Sequence, residues 1–479
     1  LSGVMLGLLR TPPTFNDAYG YQFTGAYRHG QQRTYRNGKG YDNPYWVANM
    51  INYSDEVNRV FGTFTTEWNI TKWLKLTYRG GLDFYNRYRT NNFAIHSVGH
   101  PEGYASPKSS FNMDLNQDIF ANFKKNLSKD FTLTAMVGFN MYQRRYKSVT
   151  AEANGLSFSG FYNVINTSDV KGYQGESANR TRAWYYDVSL AYQNMLYLDV
   201  TGRYEGSTTL PKDNNSFFYP SVSGSWVFSQ LPFLKDSKVL SFAKLRASYA
   251  VTANVPSPYN TDTYYYRGGS GDGWTNGVNF PFLGVNGFAR GYTIGNNHLK
   301  PEKSKSWSVG TDLRFLKNRF RIDADYFQRV NSNLLLYVPT APSIGYGQRY
   351  MNAGEMKTTG IEALLSADII KTKNVLWNIT VNWSNPNSVV TKLAPGVPNV
   401  FLGGFTEPQV RAVAGEKYRT IYGVDWVRDK SGNLVIEDNP NAEFYGYPIP
   451  AAATSKLGSI QAKWTMGITN TLTYKGASL

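Results

Sequence analysis

Asp323 and Asp325 are the pair of residues in this sequence that comes closest to a catalytic arrangement. On a β-strand their side chains share one face and stand about 7 Å apart at the usual rise per residue. Two carboxylates flanking a glycosidic bond serve as acid and base in glycoside hydrolysis. The same pair can instead belong to a structural network of ion pairs, because such networks also bring charged groups together.

The residues before this pair favour the structural network. A two-residue turn at Lys317–Asn318 would place Arg314 opposite Arg321 on the neighbouring strand. The same register places Asp312 opposite Asp323. One diagonal then pairs Arg314 with Asp323, and the other pairs Asp312 with Arg321. Because opposite charges on neighbouring strands stabilise a sheet, we interpret these residues as a cross-strand charge lattice on a solvated wall.

No other motif predicts a catalytic, cofactor or metal site. His96 and His100 have a spacing that suits a metal ion on a helix, but their segment has the composition of a loop. The glycine-rich segment RGGSGDGW at 267–274 lacks the Lys-Ser/Thr of a phosphate-binding loop and the full calcium-loop pattern. DKSGN at 429–433 is a turn signal. The chain has no cysteine, which excludes disulfides and thiolate chemistry, and we predict neither an enzyme nor a cofactor.

Alternation of apolar and polar residues runs through the whole chain and predicts β-strands. About thirteen such segments are present, most of them about ten residues long, and no long amphipathic helix separates them. The sheet is therefore predicted to be antiparallel. Rows of alternating apolar residues include Leu74, Leu76, Tyr78, Leu82 and Phe84; Phe131, Leu133, Ala135, Val137 and Phe139; and Val375, Trp377, Ile379, Val381 and Trp383.

The connections between these segments alternate between short and long. Short links occur at 69–73, 126–130, 193–195, 316–319 and 371–374, with a somewhat longer one at 230–240. The intervening segments are long, at 89–110, 146–181, 205–216, 252–304, 331–358 and 385–459. In an up-and-down sheet alternate connections lie at the same edge, so the short ones share one rim and the long ones the other. That arrangement is typical of an outer-membrane barrel, which we predict in preference to a soluble sandwich.

The composition agrees with a wall between water and lipid. Of the 479 residues 41% are hydrophobic, yet 15% are aromatic, and Tyr and Trp favour both strands and membrane interfaces. The net charge of +16 predicts an anionic partner. Because the basic residues are scattered, without a dense run, we favour anionic lipid over nucleic acid. No stretch approaches the roughly 18 apolar residues of a membrane helix, so this chain would cross a membrane as a barrel.

Four long motifs follow one another along the chain, with shorter ones such as LRTPPTFND at 9–17. They are TGRYEGSTTLPKDNNSFFYPSVSGSWVFS at 201–229, HLKPEKSKSWSVGTDLRFLKNRFRIDADYFQR at 298–329, SIGYGQRYMNAGEMKTTGIEALLSADIIKTKNVLWNITVNWS at 343–384 and LGSIQAKWTMGITNTLTYKG at 457–476. Together they resemble SusC/RagA-type TonB-dependent outer-membrane transporters, and the matching segments span nearly the whole chain in the family's order.

The resemblance implies a transmembrane, antiparallel, up-and-down barrel of 22 strands around an N-terminal plug. It also implies the outer membrane of a Gram-negative bacterium, a SusD-like lipoprotein lid, and energy supplied by TonB–ExbB–ExbD. The plug, the TonB-contacting motif and a set of early strands are missing from this sequence. We therefore expect residues 1–479 to be part of one barrel domain of a longer protein, covering about 13 of its strands.

Aromatic residues crowd the long segments between the strands. Aromatic faces stack on sugar rings or form hot spots at protein interfaces, although large loops also use aromatic residues to pack on themselves. The resemblance favours contacts with the substrate or the lid. The candidate residues are Tyr264, Tyr265, Tyr266, Trp274, Tyr292, Tyr346, Phe405 and Trp426.

The function implied by the resemblance is active import of bulky nutrients, either glycan oligosaccharides or peptides. A passive porin or adhesin barrel and a soluble all-β glycan-binding protein are the alternatives. In the barrel, Val309 and Ile322 would face lipid, whereas Asp312 and Asp323 would face a wet lumen. LKNR at 316–319 would then be a short turn at the inner rim.

Overall fold

The computed structural model describes residues 3–19, 21–22, 30–36, 40–270 and 278–479, and strands account for most of them. Two short α-helices, α1 (Val4–Arg10) and α2 (Pro44–Met50), lie in these ranges. Asn43 caps α2 by accepting a hydrogen bond from the backbone N–H of Tyr45, which satisfies a donor that has no partner inside the helix. Among the described residues no helix is long and apolar enough to cross a membrane.

Twenty-four strands are assigned within the described ranges. In chain order they are β1 (Ile51–Asn69), β2 (Leu74–Phe93), β3 (Tyr104–Asn126), β4 (Phe131–Asn154), β5 (Asp169–Tyr192), β6 (Leu196–Ser207), β7 (Ser216–Trp226), β8 (Leu240–Asn254), β9 (Tyr265–Arg267), β10 (Gly269–Ser270), β11 (Val278–Asn279), β12 (Phe288–Arg290), β13 (Thr293–Ile294), β14 (Glu302–Phe315), β15 (Phe320–Pro339), β16 (Gln348–Lys371), β17 (Val375–Ser384), β18 (Asn387–Leu393), β19 (Asn399–Gly404), β20 (Gln409–Val413), β21 (Thr420–Trp426), β22 (Pro450–Ser459), β23 (Thr465–Tyr474) and β24 (Ala477–Ser478). Short 3-10 turns occur at Val164–Asn166, Lys212–Asn214, Phe228–Gln230 and Pro342–Ile344.

One sheet contains sixteen of these strands, and its order follows the chain. The long strands β1 to β8, β14 to β17 and β23 are successive neighbours, β24 pairs with β23, and β13 and β18 pair with β16. From β6 onward the neighbouring long strands are antiparallel. The predicted up-and-down antiparallel sheet is confirmed, and its long strands number the expected thirteen. Three small sheets, β9/β12, β10/β11 and β19–β22, lie in the long connections.

The strands are much longer than the predicted ten residues or so. Strands β4, β5 and β16 have 24 residues each. Their ladders continue beyond the alternating stretches. For example, β15 pairs with β16 out to Pro339 through LLLYVP at 334–339, a run of apolar residues without alternation. The segment 331–358, predicted as a long connection, is therefore mostly strand and leaves only 340–347 between β15 and β16. The alternation of short and long connections persists, although 208–215 and 340–347 are shorter than 227–239 on the opposite rim.

The chain divides into two compact units. The first comprises Leu1–Thr66, Tyr78–Asp118 and Met141–Thr181, and the second comprises Glu67–Thr77, Ile119–Asn140 and Arg182–Leu479. Each unit has small buried clusters near strand ends and in connections. These clusters are Ala105, Ala153 and Leu156 in the first unit, and Leu210, Phe217, Leu299 and Tyr350 together with Val390, Leu393, Val400 and Ala412 in the second.

The sheet of the second unit has the reverse of a soluble protein's burial pattern. The apolar residues Val309 and Tyr326 are 51% and 43% exposed, whereas the intervening Asp312 is only 4% exposed. We call the face that carries Val309 the outer face and the face that carries Asp312 the inner face. A continuous apolar outer face is costly in water but is what lipid requires of a barrel wall. The predicted assignment of these residues to lipid and lumen agrees with this pattern.

The hairpin of β14 and β15 has the predicted register. Arg314 pairs with Arg321 across the strands, and Phe315 pairs with Phe320 at the end of the ladder. The connection occupies 316–319, as predicted, although the ladder ends at Phe315–Phe320, one pair before the two-residue turn that was used to set the register. Leu316 and the next two residues all have positive φ, so this part of the chain turns through left-handed backbone before the second strand begins.

Candidate functional site

The charged residues of the inner face form one network across three strands. Arg246, on β8, donates from Nε to Asp325 Oδ1 at 3.0 Å and from Nη2 to Asp323 Oδ1 at 2.5 Å. Arg321 donates from Nη2 to Asp323 Oδ2 at 2.7 Å and to Asp312 Oδ2 at 3.3 Å. Each aspartate of the candidate catalytic pair is thus held by at least one guanidinium, which favours a structural role over hydrolysis.

One predicted contact in this lattice is wrong. Arg314 does not form an ion pair with Asp323 among the described residues. Instead it donates to both carboxylate oxygens of Asp312 on its own strand, at 3.2 and 2.9 Å. The predicted Asp312–Arg321 diagonal is present. The difference is due to Arg246 on β8, the strand that neighbours β14 on the side away from β15. Arg246 binds Asp323, the aspartate that Arg314 was predicted to bind.

Gly310 allows the network to form across β14. It lies opposite both Arg246 on β8 and Asp325 on β15. A Cβ at this position would collide with the Asp325 carboxylate. A glycine between the two strands therefore leaves room for the Arg246 side chain to cross above the backbone and reach its partners.

A concavity of about 580 Å³ with polar and apolar lining residues lies beside this network. Asp325 faces Glu362 on β16, and Glu362 faces Ser384 on β17. Glu362 is exposed, and among the described residues no hydrogen bond or ion pair engages its carboxylate. Asn382 and Thr465 also line the concavity. Such a wall offers carboxylate, amide and hydroxyl groups to a polar solute.

Four of the predicted aromatic contacts come together where the long connection between β8 and β14 meets the 340–347 connection between β15 and β16. The ring of Tyr266 covers Gly291, whose backbone N–H donates to Tyr264 O at 2.9 Å. The guanidinium of Arg290 lies 4.3 Å from the ring centroid of Tyr346. Tyr292 O accepts the backbone N–H of Gly347 at 3.0 Å. We call Tyr264, Tyr266, Arg290, Tyr292 and Tyr346 the tyrosine–arginine cluster.

The remaining predicted contacts lie elsewhere. Tyr265 is on β9 opposite Arg290 and is 71% exposed. Phe405 lies in the turn between β19 and β20, and Trp426 ends β21, so both lie at the four-stranded sheet β19–β22. Trp274 lies outside the described residues. Within the described ranges no hydrogen bond, ion pair or ring contact joins Phe405 or Trp426 to the tyrosine–arginine cluster.

The histidine pair has a packing role. The His100 ring stacks on Tyr104 with centroids 4.3 Å apart and lies 4.6 Å from the ring of Phe93. Burial among these rings lowers the pKa of the His100 imidazole, so it stays neutral over more of the physiological range. Within the described ranges no group of three or more His, Cys, Asp or Glu side chains is arranged to hold a metal ion.

Two functional features escaped sequence reasoning. Arg246 lies 77 residues before Asp323 in the chain, and no local pattern relates residues so far apart. Arg290 carries no motif, and its place beside Tyr346 depends on β13 pairing in parallel with β16. Both arginines could have been found only by knowing which strands are neighbours.

An up-and-down antiparallel sheet with an apolar outer face and a charged inner face defines the class of transmembrane β-barrel walls. The chain belongs to the TonB dependent receptor-like, beta-barrel family, whose sequence profile matches residues 6–477.

Known relatives agree with this assignment. The chain is 23% identical to the TonB-dependent receptor SusC of Bacteroides thetaiotaomicron, over 99% of this chain and 49% of that protein. It is also 23% identical to the TonB-dependent receptor P26 of Formosa agariphila, over 99% of this chain and 48% of that protein. The solved structure of the RagAB peptide transporter matches with a TM-score of 0.76 at 18% identity, covering 91% of this chain and 48% of that one. The chain thus spans about half the length of these relatives.

Proposed function

We propose that the chain forms part of the barrel wall of an outer-membrane transporter that imports bulky nutrients. The observation that carries this proposal is the inverted burial of the sheet, with exposed Val309 and Tyr326 outside and a charged network around Asp312 inside. Family membership supports the same reading. In the whole protein, the barrel would lie in the outer membrane of a Gram-negative bacterium and perform no covalent chemistry.

The partners and the substrate class belong to the same proposal. Energy would come from TonB–ExbB–ExbD acting on a plug domain outside residues 1–479, and a SusD-like lipoprotein would close the outer end. The substrate would be a glycan oligosaccharide or a peptide. By similarity, the TonB-dependent receptor SusC supports the coupling to TonB, and the RagAB peptide transporter supports a peptide as substrate. The tyrosine–arginine cluster, Tyr265, Phe405 and Trp426 are the proposed contacts with the substrate or the lid.

The first experiment tests the membrane barrel. The chain should require detergent for solubility and should migrate differently on gels with and without boiling, because a barrel resists unfolding by detergent at room temperature. A monodisperse protein that folds without detergent would refute the proposal and favour a soluble glycan-binding protein.

The second experiment tests active uptake in the source bacterium. Growth on a panel of glycans and peptides should fall when the gene is deleted, and a protonophore should abolish uptake of the substrate so identified. Uptake that persists with the protonophore would indicate a passive porin instead. Tyr266→Ala with Tyr292→Ala should reduce uptake, whereas Tyr445→Ala, at another exposed tyrosine, should leave it unchanged.

A further inference from the structure

Lysine and valine alternate in one cross-strand row on the outer face of the second unit. Lys305 pairs with Val251 on one side and with Val330 on the other. Lys357 likewise pairs with Val330 and with Val389, and Val389 forms a bridge with Lys417. Residues directly opposite in antiparallel strands share a face. We call the six residues Val251, Lys305, Val330, Lys357, Val389 and Lys417 the lysine–valine row.

The charges in this row are not neutralised within the protein. All three lysines are exposed, and in the described part of the chain none of their amines donates a hydrogen bond or forms an ion pair. The nearest carboxylate along β16 is Glu355, which accepts a hydrogen bond from Thr391 Oγ1 at 2.8 Å. By contrast, Arg145 and Lys147 in the first unit share Glu176 at 3.7 and 3.5 Å.

The row lies directly beyond the apolar part of the outer face. Trp307 lies two residues after Lys305 on β14, and the centroid of its ring is 5.4 Å from that of Tyr326. Val309 and the apolar rows follow towards the short turns. Trp and Tyr concentrate where membrane meets water, and each step of two residues is about 7 Å along a strand. The lysines therefore stand at the height of lipid headgroups on the rim that carries the long connections.

We propose that the lysine–valine row binds the phosphates of outer-leaflet glycolipids. The inference rests on the proposed outer-membrane barrel. Successive lysines are two strand spacings apart, about 10 Å, so the row presents a line of separate point charges. Lysine holds phosphate in this way, through charge rather than through a fixed fork of donors.

The geometry favours a lipid surface over a free phosphate ion. A free anion is usually held in a concave site with several convergent donors. Here valines separate the lysines, and the backbone N–H groups of β15 and β16 are used in the ladder. A flat row that alternates cationic and apolar residues instead matches a layer of phosphorylated headgroups above acyl chains, where each basic residue adds to the affinity.

Native mass spectrometry of the chain in detergent can test the proposal, with diphosphorylated lipid A as the probe. Lys305→Gln with Lys357→Gln should weaken lipid A binding about 25-fold, which corresponds to about 5-fold for each charge. Lys305→Arg with Lys357→Arg should retain binding. The matched control removes two inner-face cations, Lys244→Gln and Arg329→Gln, and should bind lipid A as the parent chain does.

Several results of these experiments would contradict the proposed binding of glycolipid phosphates or the proposed function. Equal binding by the glutamine and control variants would overturn the proposal, as would unchanged binding of lipid A from which both phosphates have been removed. Inorganic phosphate that binds with the affinity of lipid A would also overturn it, in favour of a free-anion site. Failure of the parent chain to insert into bilayers would contradict the proposed function, whereas insertion without preference for phosphorylated lipid would contradict this inference alone.

Discussion

Leu364 and Leu365 are adjacent residues on β16 that face opposite sides of the sheet. Leu364 lies opposite Asp323 and Asn382, on the inner face. Leu365 lies opposite Ile322 on the outer face and is 47% exposed. Substitution of each leucine by arginine therefore tests what the outer face touches, with the residue type, the strand and the depth held constant.

We expect Leu365→Arg to cost about 2 kcal/mol and Leu364→Arg to cost less than about 1 kcal/mol. The outer apolar rows run from Phe320 to the row of Trp307, about 27 Å along the strands. Leu365 is one row from the centre of that band, and arginine on the lipid face of a barrel costs about 2–4 kcal/mol at the midplane and less towards the interface. Arginine at 364 would instead meet water and the carboxylate of Asp323.

Urea unfolding of the chain in phospholipid vesicles, followed by tryptophan fluorescence, measures both costs. The fraction that migrates as a folded band without boiling reports insertion. Equal costs, or a larger cost for Leu364→Arg, would refute the assignment of faces. In a soluble sandwich the exposed Leu365 would tolerate arginine with almost no loss, so the two readings predict opposite results.

Three further outcomes follow from the described contacts. Arg246→Met should lower the free energy of unfolding by about 2–4 kcal/mol, since it leaves Asp325 without its cation and Asp323 with Arg321 alone. Asparagine at both aspartate partners should restore much of this stability, and no restoration in urea unfolding would contradict the network. Gly310→Ala should lower the free energy of unfolding by about 1–3 kcal/mol, because the added Cβ would collide with the carboxylate of Asp325. Gly467→Ala, at a position with open space around it, should change the free energy of unfolding in urea little. Hydrogen bonds from Asn433 lower the pKa of Asp429. The turn at 429–433 should therefore be ordered above about pH 4 and should loosen as the pH falls through the lowered pKa. Amide exchange of 429–433 that does not change at low pH would contradict this pH dependence.

The β14–β15 hairpin illustrates how far local pattern reaches. Alternation identified both strands, and centring the turn on Lys317–Asn318 gave the pairing of Arg314 with Arg321. The bounds of the connection at 316–319 were predicted as well, but its conformation was not, because three consecutive residues with positive φ are not encoded by a glycine or another strong signal. The predicted Arg314–Asp323 pair was wrong, because Asp323 binds Arg246, which lies on a strand that is distant in sequence.

The sequence by itself determined which residues share a face of each strand, the order of short and long connections, and the resemblance to a barrel family. These properties are local, because side chains alternate with a period of two residues whatever the neighbouring strand is. Only the tertiary structure decided which strands are neighbours. The 47-residue connection at 255–301 brings β8 beside β14 and Arg246 onto Asp323 and Asp325. Pairing across strands also assembled the tyrosine–arginine cluster and the lysine–valine row, since cross-strand neighbours depend on hydrogen-bond register rather than on distance along the chain.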